Sequence, residues 1–356
     1  MNPRFEPNLS VEDLDYVLEQ TRGLWAELDG KRIFITGGTG FYGKWLLESF
    51  LWAVERLQLD ARAVVLSRDP QAFCRTMPHL ANHPALTFHA GNVVDFTFPE
   101  GRFSHVIHAA TAASAQLNAE APLRMFDTIV QGTRHTLDFA RHCGARKFLL
   151  ASSGAVYGRQ PADVTHLAED YAGGPDPTDP ALAYGEGKRA AEHLCVLYSR
   201  SYGIEVKISR GFAFVGPYLP LDAHFAAGNF IRDALTGGPI VVRGDGTPWR
   251  SYLYAADLTV WLWAILGSGK SCRPYNVGSD EAISIKSLAE HVAACFDPRP
   301  AVRVLKAPAP GTPAQRYVPS TRRIGEELGL EKGFDLRAAL ERTVAYHRRG
   351  ASLRRS

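Results

Sequence analysis

A glycine-rich turn between an apolar segment and a helical segment is the feature that most constrains the fold. The stretch KRIFITGGTGFYGKWLLESFLWAV, residues 31–54, has the pattern of a strand, a turn and a long helix. Further strand-like segments then alternate with helical ones: RAVVLS, ALTFHAGNV, HVIHAA, KFLLASS and EVKISR. Strands that alternate with helices in this way form βαβ units, in which the strands are parallel and helices cover both faces. The sequence therefore predicts an α/β protein with a doubly wound parallel sheet.

The spacing of the glycines favours a bound dinucleotide. Gly37, Gly40 and Gly43 allow a tight turn, a close approach of backbone to a pyrophosphate, and close packing of helix on sheet. The helix that follows presents N–H groups to phosphates. A glycine-rich connector without a ligand is the alternative, but the place of the turn in the first βαβ unit favours a Rossmann-type NAD(P)-binding domain. The residues expected around the cofactor are Gly37, Thr39, Gly40, Phe41, Tyr42, Gly43, Ser67, Arg68, Asn92, Val93, Ala109, Ala110, Thr111, Tyr184 and Lys188.

The second strand ends on Ser67 and Arg68 rather than on a carboxylate. A carboxylate at this position would accept hydrogen bonds from the ribose of NAD and would repel a 2′-phosphate. A hydroxyl and a guanidinium would instead donate hydrogen bonds to that phosphate. We therefore expect NADP(H), with NAD(H) as the alternative. In that alternative, Arg68 is a solvated loop residue paired with Asp69.

A tyrosine and a lysine four residues apart, Tyr184 and Lys188, share one face of the predicted helix AYGEGKRAAEHLCVLYSRSYG. The ammonium is expected to lower the pKa of Tyr184, so that the tyrosine can exchange a proton with a sugar hydroxyl or carbonyl. Ser153, at the end of the fifth strand, is placed to hydrogen-bond the same oxygen. Such a pair alone is an ordinary surface feature. Together with the glycine turn, it predicts a catalytic set of Ser153, Tyr184 and Lys188.

Charge and cysteine content exclude several classes of function. The formal net charge is +3 over 356 residues without a long basic run, so nucleic acid is not an expected partner. The apolar stretch LLESFLWAV is too short to span a bilayer, and five cysteines without a C-x-x-C pair fit reduced thiols. These features predict a cytoplasmic protein that does not bind a membrane. No ligand cluster surrounds His105, His108 or His135, so we expect no metal site.

The patterns divide the chain into three regions. Residues 1–30 form a predicted N-terminal helical extension, in which Ser10 caps a helix that runs to Leu28. Residues 31–215 form the predicted NAD(P)-binding domain, and part of its core returns later in the chain. Residues 216–356, where Pro, Gly and Arg become frequent, are expected to form mostly a smaller mixed α/β substrate lobe.

The motifs TGGTGFYG, HVIHAA, SSGAVYG, AYGEGK and GDGTPWRSYLYAADL follow one another along the chain. In this combination the chain resembles the extended short-chain dehydrogenases/reductases that act on nucleotide-diphosphate sugars. The resemblance implies that Tyr184 is the catalytic acid/base, that Lys188 lowers its pKa and holds the nicotinamide ribose, and that Ser153 orients the reacting oxygen. It also implies a nucleotide-sugar lobe and a homodimer formed through the helix that carries Tyr184. The substrate-binding residues expected from it are Ser114, Asn229, Val242, Arg243, Arg250 and Arg316.

Residues near the catalytic set indicate which of the reactions known in this family a given member catalyses. The 4,6-dehydratases carry acidic residues just after the serine, whereas this chain has Gly154 and Ala155, which cannot transfer a proton. Ala213 and Ile129 replace asparagines that many relatives carry, which weakens an epimerase assignment. We therefore expect NADPH-dependent reduction of a nucleotide-diphosphate-4-keto-6-deoxyhexose to a 6-deoxyhexose nucleotide. The alternatives are an NAD-dependent nucleotide-sugar 4-epimerase, then a 4,6-dehydratase, and, in another class, a non-catalytic module that binds NADP or a sugar nucleotide.

Overall fold

The computed structural model of the chain describes residues 5–111, 115–223 and 225–353, so Ser114 lies outside the described residues. Its helices are α1 Val11–Gln20, α2 Arg22–Leu28, α3 Phe41–Leu57, α4 Pro70–Thr76, α5 Pro78–Ala81, α6 Ala115–Glu120, α7 Pro122–His142, α8 Ala183–Tyr202, α9 Ala226–Leu235, α10 Ala255–Ser268, α11 Ile285–Ala294, α12 Arg322–Leu328 and α13 Leu336–Leu353. Its strands are β1 Arg32–Thr36, β2 Arg62–Ser67, β3 Leu86–Ala90, β4 His105–His108, β5 Lys147–Ser153, β6 Glu205–Gly211, β7 Phe214–Val215, β8 Ile240–Val242, β9 Trp249–Arg250, β10 Leu253–Tyr254, β11 Pro274–Val277, β12 Ile283–Ser284, β13 Val302–Val304 and β14 Arg316–Tyr317.

Seven strands form the central sheet in the order β11-β6-β5-β4-β1-β2-β3. β1 pairs in parallel with both β2 and β4, and the pairs β2–β3, β4–β5 and β5–β6 are parallel as well. The chain therefore enters the sheet at β1 and builds outward in both directions, so that the strand order reverses between β1 and β4. This topology confirms the predicted doubly wound α/β fold of the Rossmann type. In such sheets, ligands bind at the carboxyl ends of the strands beside the reversal.

The central strands are buried because helices pack on the sheet. Phe34 of β1 lies 4.5 Å from Phe139 of α7 and 5.4 Å from Phe96, measured between ring centroids. Each buried phenylalanine contributes about 1.5–3 kcal/mol to the free energy of unfolding. All residues of β5 are buried, which explains why KFLLASS begins as a continuous apolar run. This core holds the loops at the strand ends in fixed positions.

The N-terminal extension forms two helices rather than the one that the sequence predicts. Ser10 Oγ accepts a hydrogen bond from Asp13 N at 3.1 Å and caps α1. Thr21 separates the helices, because its Oγ1 donates to Val17 O at 2.6 Å and accepts from Trp25 Nε1 at 3.0 Å. Side-chain hydrogen bonds of this kind compete with regular helix continuation.

The chain folds into two compact units, each assembled from separate segments. The first unit comprises residues 1–156, 174–211 and 259–275, and it contains β1–β6 and α1–α8. Within the second unit, β7 pairs with β10, β8 pairs with β13, and β9 lies between β12 and β14. The segments of the second unit are residues 157–173, 212–258 and 276–356.

Candidate functional site

The glycine turn joins β1 to α3 in the first unit. Gly37 has a φ of +74°, and a Cβ on it would lie 2.5 Å from the backbone carbonyl of Ala109. Both the backbone conformation and the space therefore require glycine at this position. A Cβ on Gly43 would lie 2.3 Å from the backbone of Gly38, so the first turn of α3 packs directly against the glycine turn.

Helix α3 begins directly after this turn. Gly40 is its N-cap residue, and Lys44 N donates to Gly40 O at 3.0 Å. Phe41, Tyr42 and Gly43 therefore form the first turn of a 17-residue helix, where the positive end of the helix dipole favours anions. The turn and the helix start offer backbone groups rather than side-chain charge to a phosphate.

A cavity of about 250 Å³, here called the carboxyl-end cavity, opens where β1, β2 and β4 end. Three of its lining residues, Leu66, Gly91 and Thr128, are not among the site residues predicted from the sequence. A glycine directly after a strand was an available signal for Gly91. Thr128 lies on α7, and only the tertiary structure brings it to this cavity. The expected cofactor residues that line the cavity are Gly37, Thr39, Gly40, Ser67, Arg68, Asn92, Val93, Ala109, Ala110 and Thr111.

The end of β2 does not form the ion pair between Arg68 and Asp69 that the alternative interpretation requires. Asp69 Oδ1 accepts from Ala72 N at 2.8 Å and caps α4, while Asp69 N donates to Ser67 Oγ at 3.3 Å. Arg68 is exposed at the cavity and forms no ion pair with any residue that the structure describes. Its guanidinium is therefore not committed to a side chain within this part of the chain.

The three expected catalytic residues lie together where α8 meets the end of β5. Lys188 Nζ donates to Thr111 Oγ1 and to Ala151 O, each at 2.7 Å. The ammonium lies 5.9 Å from the centroid of the Tyr184 ring, and the Tyr184 hydroxyl is hydrogen-bonded to Ser153. Because Thr111 lines the carboxyl-end cavity, its hydrogen bond places Lys188 beside that cavity.

Burial dominates the protonation of this cluster. It raises the pKa of Tyr184, and the hydrogen bond to Ser153 acts in the opposite direction. The expectation of a lowered pKa for Tyr184 is therefore wrong for this structure, because desolvation of the phenolate outweighs the stabilisation that it receives. Burial also lowers the pKa of Lys188 to about 8, while the Glu192 carboxylate acts to raise it. The lysine is thus still largely charged at neutral pH.

A buried carboxylate network lies one helical turn beyond Lys188. Glu192 Oε1 accepts from Ser152 Oγ at 2.6 Å and from Arg210 Nε at 3.0 Å. Glu192 Oε2 accepts from Arg210 Nη2 at 2.7 Å, which completes a bidentate ion pair. Glu192 is not among the residues predicted from the sequence, although its i, i+4 spacing from Lys188 was a signal. Ser152 and Arg210 come from β5 and β6, and only the sheet pairing brings them to α8.

A second buried network fixes the end of β4. His108 Nδ1 is hydrogen-bonded to Thr36 Oγ1 at 2.8 Å, and its Nε2 to Thr133 Oγ1 at 3.1 Å. Thr36 Oγ1 also accepts from Ala110 N at 3.2 Å, so the network reaches the cavity wall. Burial, with the nearby Lys188 charge, lowers the pKa of His108 to about 3, so its ring is neutral at physiological pH.

The second unit places the expected diphosphate clamps on neighbouring strands. β14 pairs in parallel with β9, and the register sets Arg316 beside Trp249 and Tyr317 beside Arg250. The Arg316 guanidinium lies 5.0 Å from the centroid of the Trp249 ring, and that of Arg250 lies 6.0 Å from the Tyr317 ring. Burial lowers the pKa of Arg250. Both guanidinium groups therefore lie near aromatic rings of the same small sheet.

The other expected substrate residues lie elsewhere in this unit. Asn229 is on α9, and its Oδ1 accepts from Arg232 Nη1 at 3.2 Å. Val242 of β8 is only 1% exposed, so its side chain belongs to the core and only its backbone is left to line a nucleotide base. Arg243 directly follows β8 and is exposed.

Within residues 5–111, 115–223 and 225–353, no group of three or more His, Cys, Asp or Glu side chains is placed to hold a metal ion. None of the helices in the described part of the chain combines the length and the apolar character needed to cross a bilayer.

The sequence is similar to curated proteins over most of its length. Residues 33–278 match the model of the NAD dependent epimerase/dehydratase family. UDP-glucuronic acid decarboxylase 1 of Xenopus tropicalis is 32% identical over 325 residues, which span 91% of this chain and 74% of that protein. UDP-glucuronic acid decarboxylase 6 of Arabidopsis thaliana is 32% identical over 312 residues, which span 87% of this chain and 86% of that protein.

Solved structures share the fold. A UDP-glucose 4-epimerase of Thermotoga maritima with UDP-glucose has a TM-score of 0.75 at 22% identity, covering 90% of this chain and 99% of that one. A dTDP-glucose 4,6-dehydratase of Streptomyces venezuelae with NAD bound has a TM-score of 0.75 at 23% identity, covering 90% of this chain and 98% of that one. The family match extends over both the glycine turn and the segment with Ser153, Tyr184 and Lys188. The resemblance seen in the motifs is confirmed, and this chain belongs to the NAD dependent epimerase/dehydratase family.

Proposed function

We propose that this protein is an oxidoreductase that uses a nicotinamide dinucleotide to act on a nucleotide-diphosphate sugar, with Tyr184 moving the proton at the C4 oxygen. The glycine turn supports a dinucleotide, because Gly37 leaves a cradle that a Cβ would fill and α3 begins beside it. Lys188 and Thr111 are the residues that would hold the nicotinamide ribose at the other end of the cavity. When bound, the nicotinamide supplies the acceptor and donor of hydride.

The catalytic set then has a division of roles. Tyr184 takes the proton of the C4 hydroxyl when C4 is oxidised and returns it when C4 is reduced. Ser153 hydrogen-bonds the same oxygen and orients it. Lys188 supplies the positive charge that stabilises the tyrosinate, and its hydrogen bonds to Thr111 and Ala151 hold it in place.

We infer that the substrate is a nucleotide-linked uronic acid and that the net reaction is the loss of CO₂. Once C4 is a ketone, the C6 carboxylate is β to it. The C5–C6 bond then breaks, its electron pair passes into the C4 carbonyl, CO₂ leaves, and a proton is added at C5 before C4 is reduced again. None of these steps removes water, so neutral Gly154 and Ala155 are compatible with the reaction.

The observation that carries this choice is the similarity to UDP-glucuronic acid decarboxylases, 31–32% identical over 91% of the chain. The Arg250 and Arg316 guanidinium groups of the second unit support a diphosphate ligand, because guanidinium suits bidentate phosphate contact. Asn229 and the backbone of Val242 are proposed as further contacts of the nucleotide sugar.

Product analysis tests the proposal. The purified protein is incubated with UDP-glucuronic acid and NAD⁺, and the nucleotide sugars and CO₂ are quantified by mass spectrometry. We expect a UDP-pentose and one CO₂ for each turnover. Conversion of UDP-glucose to UDP-galactose, with no CO₂ from UDP-glucuronic acid, would replace the decarboxylase by the epimerase. No product from either substrate would contradict both.

A second candidate, the NADPH-dependent reductase expected from the sequence, is favoured by the end of β2. Ser67 and Arg68 line the carboxyl-end cavity, and Arg68 has no ion-pair partner among the described residues. A 2′-phosphate would supply that partner. In this case a nucleotide-linked 4-keto-6-deoxyhexose would be reduced once, with Tyr184 as the proton donor.

The cofactor test uses Arg68→Ala with Arg75→Ala as its matched control, because Arg75 is an exposed arginine on the adjacent helix α4. We expect R68A to weaken NADPH binding about 10–100-fold and NADH binding less than about 3-fold, since one charge-assisted contact is lost. R75A should change neither affinity. Equal affinity of the unaltered protein for NADPH and NADH would remove the support for the reductase.

We also propose that the protein forms a homodimer through helices α7 and α8. Leu123 of α7 and Leu197 and Tyr202 of α8 are exposed to solvent by 73%, 45% and 47% of their surface. Apolar side chains that face water on these two helices are consistent with the helix interface that the resemblance implies. Light scattering after size-exclusion chromatography should give twice the mass of one 39.1 kDa chain, and a monomer mass would contradict the proposal.

A further inference from the structure

A second cavity, of about 430 Å³, lies at the amino ends of β1, β4 and β5 and is here called the amino-end cavity. Four cationic residues and one carboxylate line it, so its formal net charge of +3 equals that of the whole chain. It belongs entirely to the first unit. The charged residues of its lining are Glu27, Lys31, Arg32, Arg102 and Arg146.

The carboxylate in this lining is already paired. Glu27 Oε2 accepts from Lys147 Nζ at 2.7 Å, and Glu27 Oε1 accepts from Arg146 Nη2. By contrast, the side chains of Lys31 and Arg102 have no hydrogen-bond or ion-pair partner among the residues that the structure describes. The cavity therefore presents positive charge that no side chain in this part of the protein neutralises.

The backbone around the cavity makes room for two guanidinium groups. Gly101 and Gly144 have φ values of +93° and +72°. A Cβ on Gly101 would lie 2.6 Å from Arg32 Nη1, and a Cβ on Gly144 would lie 3.2 Å from Arg102 Nη2. The Arg32 guanidinium also lies 4.4 Å from the centroid of the Phe103 ring. Packing thus limits the orientation of Arg32, which lowers the entropy lost when it binds a ligand.

A buried histidine also lines the amino-end cavity. His105 is 2% exposed, and its Nδ1 is hydrogen-bonded to Ser104 Oγ at 2.8 Å. Its Nε2 faces Glu27 Oε1 at 3.3 Å, so the ring lies between the Ser104 hydroxyl and the carboxylate of the lining.

We propose that the amino-end cavity binds a small anion with two or more phosphate groups, held by Lys31, Arg32 and Arg102. Guanidinium forks suit bidentate phosphate contact, and the volume of the cavity falls within the usual range of small-molecule sites. A concave site of this size favours a small ligand over a nucleic acid, which requires an extended basic surface. β1 separates the site from the carboxyl-end cavity by about 16 Å, so the two ligands do not compete.

Calorimetric titration with inorganic pyrophosphate tests the proposal. Saturating NAD⁺ and UDP are present throughout, so that the proposed cofactor and substrate sites are already filled. We expect one pyrophosphate per chain, and a Kd at least about tenfold higher in the double variant Lys31→Ala/Arg102→Ala. Arg303→Ala/Arg349→Ala removes the same charge from exposed positions elsewhere and should change the Kd by less than about twofold.

Three results would overturn the proposal. They are no binding in the presence of NAD⁺ and UDP, equal weakening in the two double variants, and binding of sulfate as tight as that of pyrophosphate at matched ionic strength. Lys31→Arg/Arg102→Lys keeps both charges but exchanges the positions of fork and ammonium, so its Kd should lie between that of the unaltered protein and that of K31A/R102A. Should K31A/R102A fail to fold, hydrogen exchange on the unaltered protein decides, because pyrophosphate should slow exchange in residues 101–105 and 144–147.

Discussion

The same two strands, β1 and β4, end at one cavity and begin at another, and the two cavities have different chemistry. The carboxyl-end cavity is lined mainly by glycine, alanine, threonine and backbone, with Arg68 as its one cation among the lining residues. The amino-end cavity is lined by four cations, and none of its lining residues begins a helix. The first geometry attracts phosphate through aligned backbone groups, and the second through side-chain charge. Backbone recognition depends on one conformation, whereas charge recognition depends on salt and can be changed one side chain at a time.

The largest effect is expected for Tyr184→Phe, which removes the proton donor and leaves the packing of the ring in place. We expect kcat to fall about 10²–10⁴-fold, with NAD⁺ binding unchanged, because the hydroxyl acts in proton transfer. Tyr202→Phe, on the exposed face of the same helix, is the matched control and should keep full activity. Pyrophosphate binding at the amino end should be the same in both variants. Normal turnover by Y184F would exclude the proposed acid/base role.

Two glycine variants separate the cost of a left-handed backbone conformation from the cost of steric crowding around an added Cβ. Gly37→Ala places a Cβ 2.5 Å from the Ala109 backbone, while Gly203→Ala has nearly the same φ, +71°, with no atom within 4 Å. Urea unfolding should show a loss of about 1 kcal/mol for G203A from backbone strain, and more than about 2 kcal/mol for G37A. NAD⁺ binding should be lost in G37A alone. A similar loss of unfolding free energy in both variants would mean that crowding against Ala109 does not affect stability.

Strand β4 carries one buried histidine near each cavity, so the two ends of the strand can also be compared through the effect of pH on stability. His108 belongs to the network beside the carboxyl-end cavity, and His105 lines the amino-end cavity. Burial lowers the pKa of His108 to about 3 and that of His105 to about 4, against an ordinary value of 6.5. At a pH between each lowered pKa and 6.5, the histidine is protonated in the unfolded chain but neutral in the folded one. Acidification below pH 6.5 therefore lowers the free energy of unfolding. His108→Gln should reduce the loss between pH 7 and pH 4.5 by about 2 kcal/mol in urea titrations. An unchanged pH dependence would mean that His108 is not buried as a neutral ring.

The smallest effect concerns salt. Raising NaCl from about 50 to about 500 mM shortens the screening length several-fold, and it should raise the Kd of pyrophosphate at the amino end about tenfold. The Kd of NAD⁺ at the carboxyl end should rise less than about threefold, because backbone amides and the helix start carry less net charge than four cations. Equal salt dependence at both ends would show that the difference in lining chemistry does not determine how each end binds anions.

Several features could be predicted because their cause lies within a short stretch of chain. The glycine turn combines a strand, a tight turn and a helix start within residues 32–57. The i, i+4 spacing of Tyr184 and Lys188 sets them on one helical face wherever that helix packs. The alternation of strands and helices, through the rules of chain connection, then predicts the parallel sheet. These are local or periodic signals, which the amino-acid sequence carries explicitly.

Other features depend on contacts between distant parts of the chain. The hydrogen bond from Lys188 to Thr111, the pairing of Glu192 with Arg210, and the burial of Val242 each need the packed structure. So does the amino-end cavity, whose charges come from three separate segments of the first unit. The sign of the pKa shift of Tyr184 is the clearest case. The sequence determines that an ammonium lies near the phenol, but only the tertiary structure decides how much water is removed from it, and this desolvation outweighs the opposing interactions.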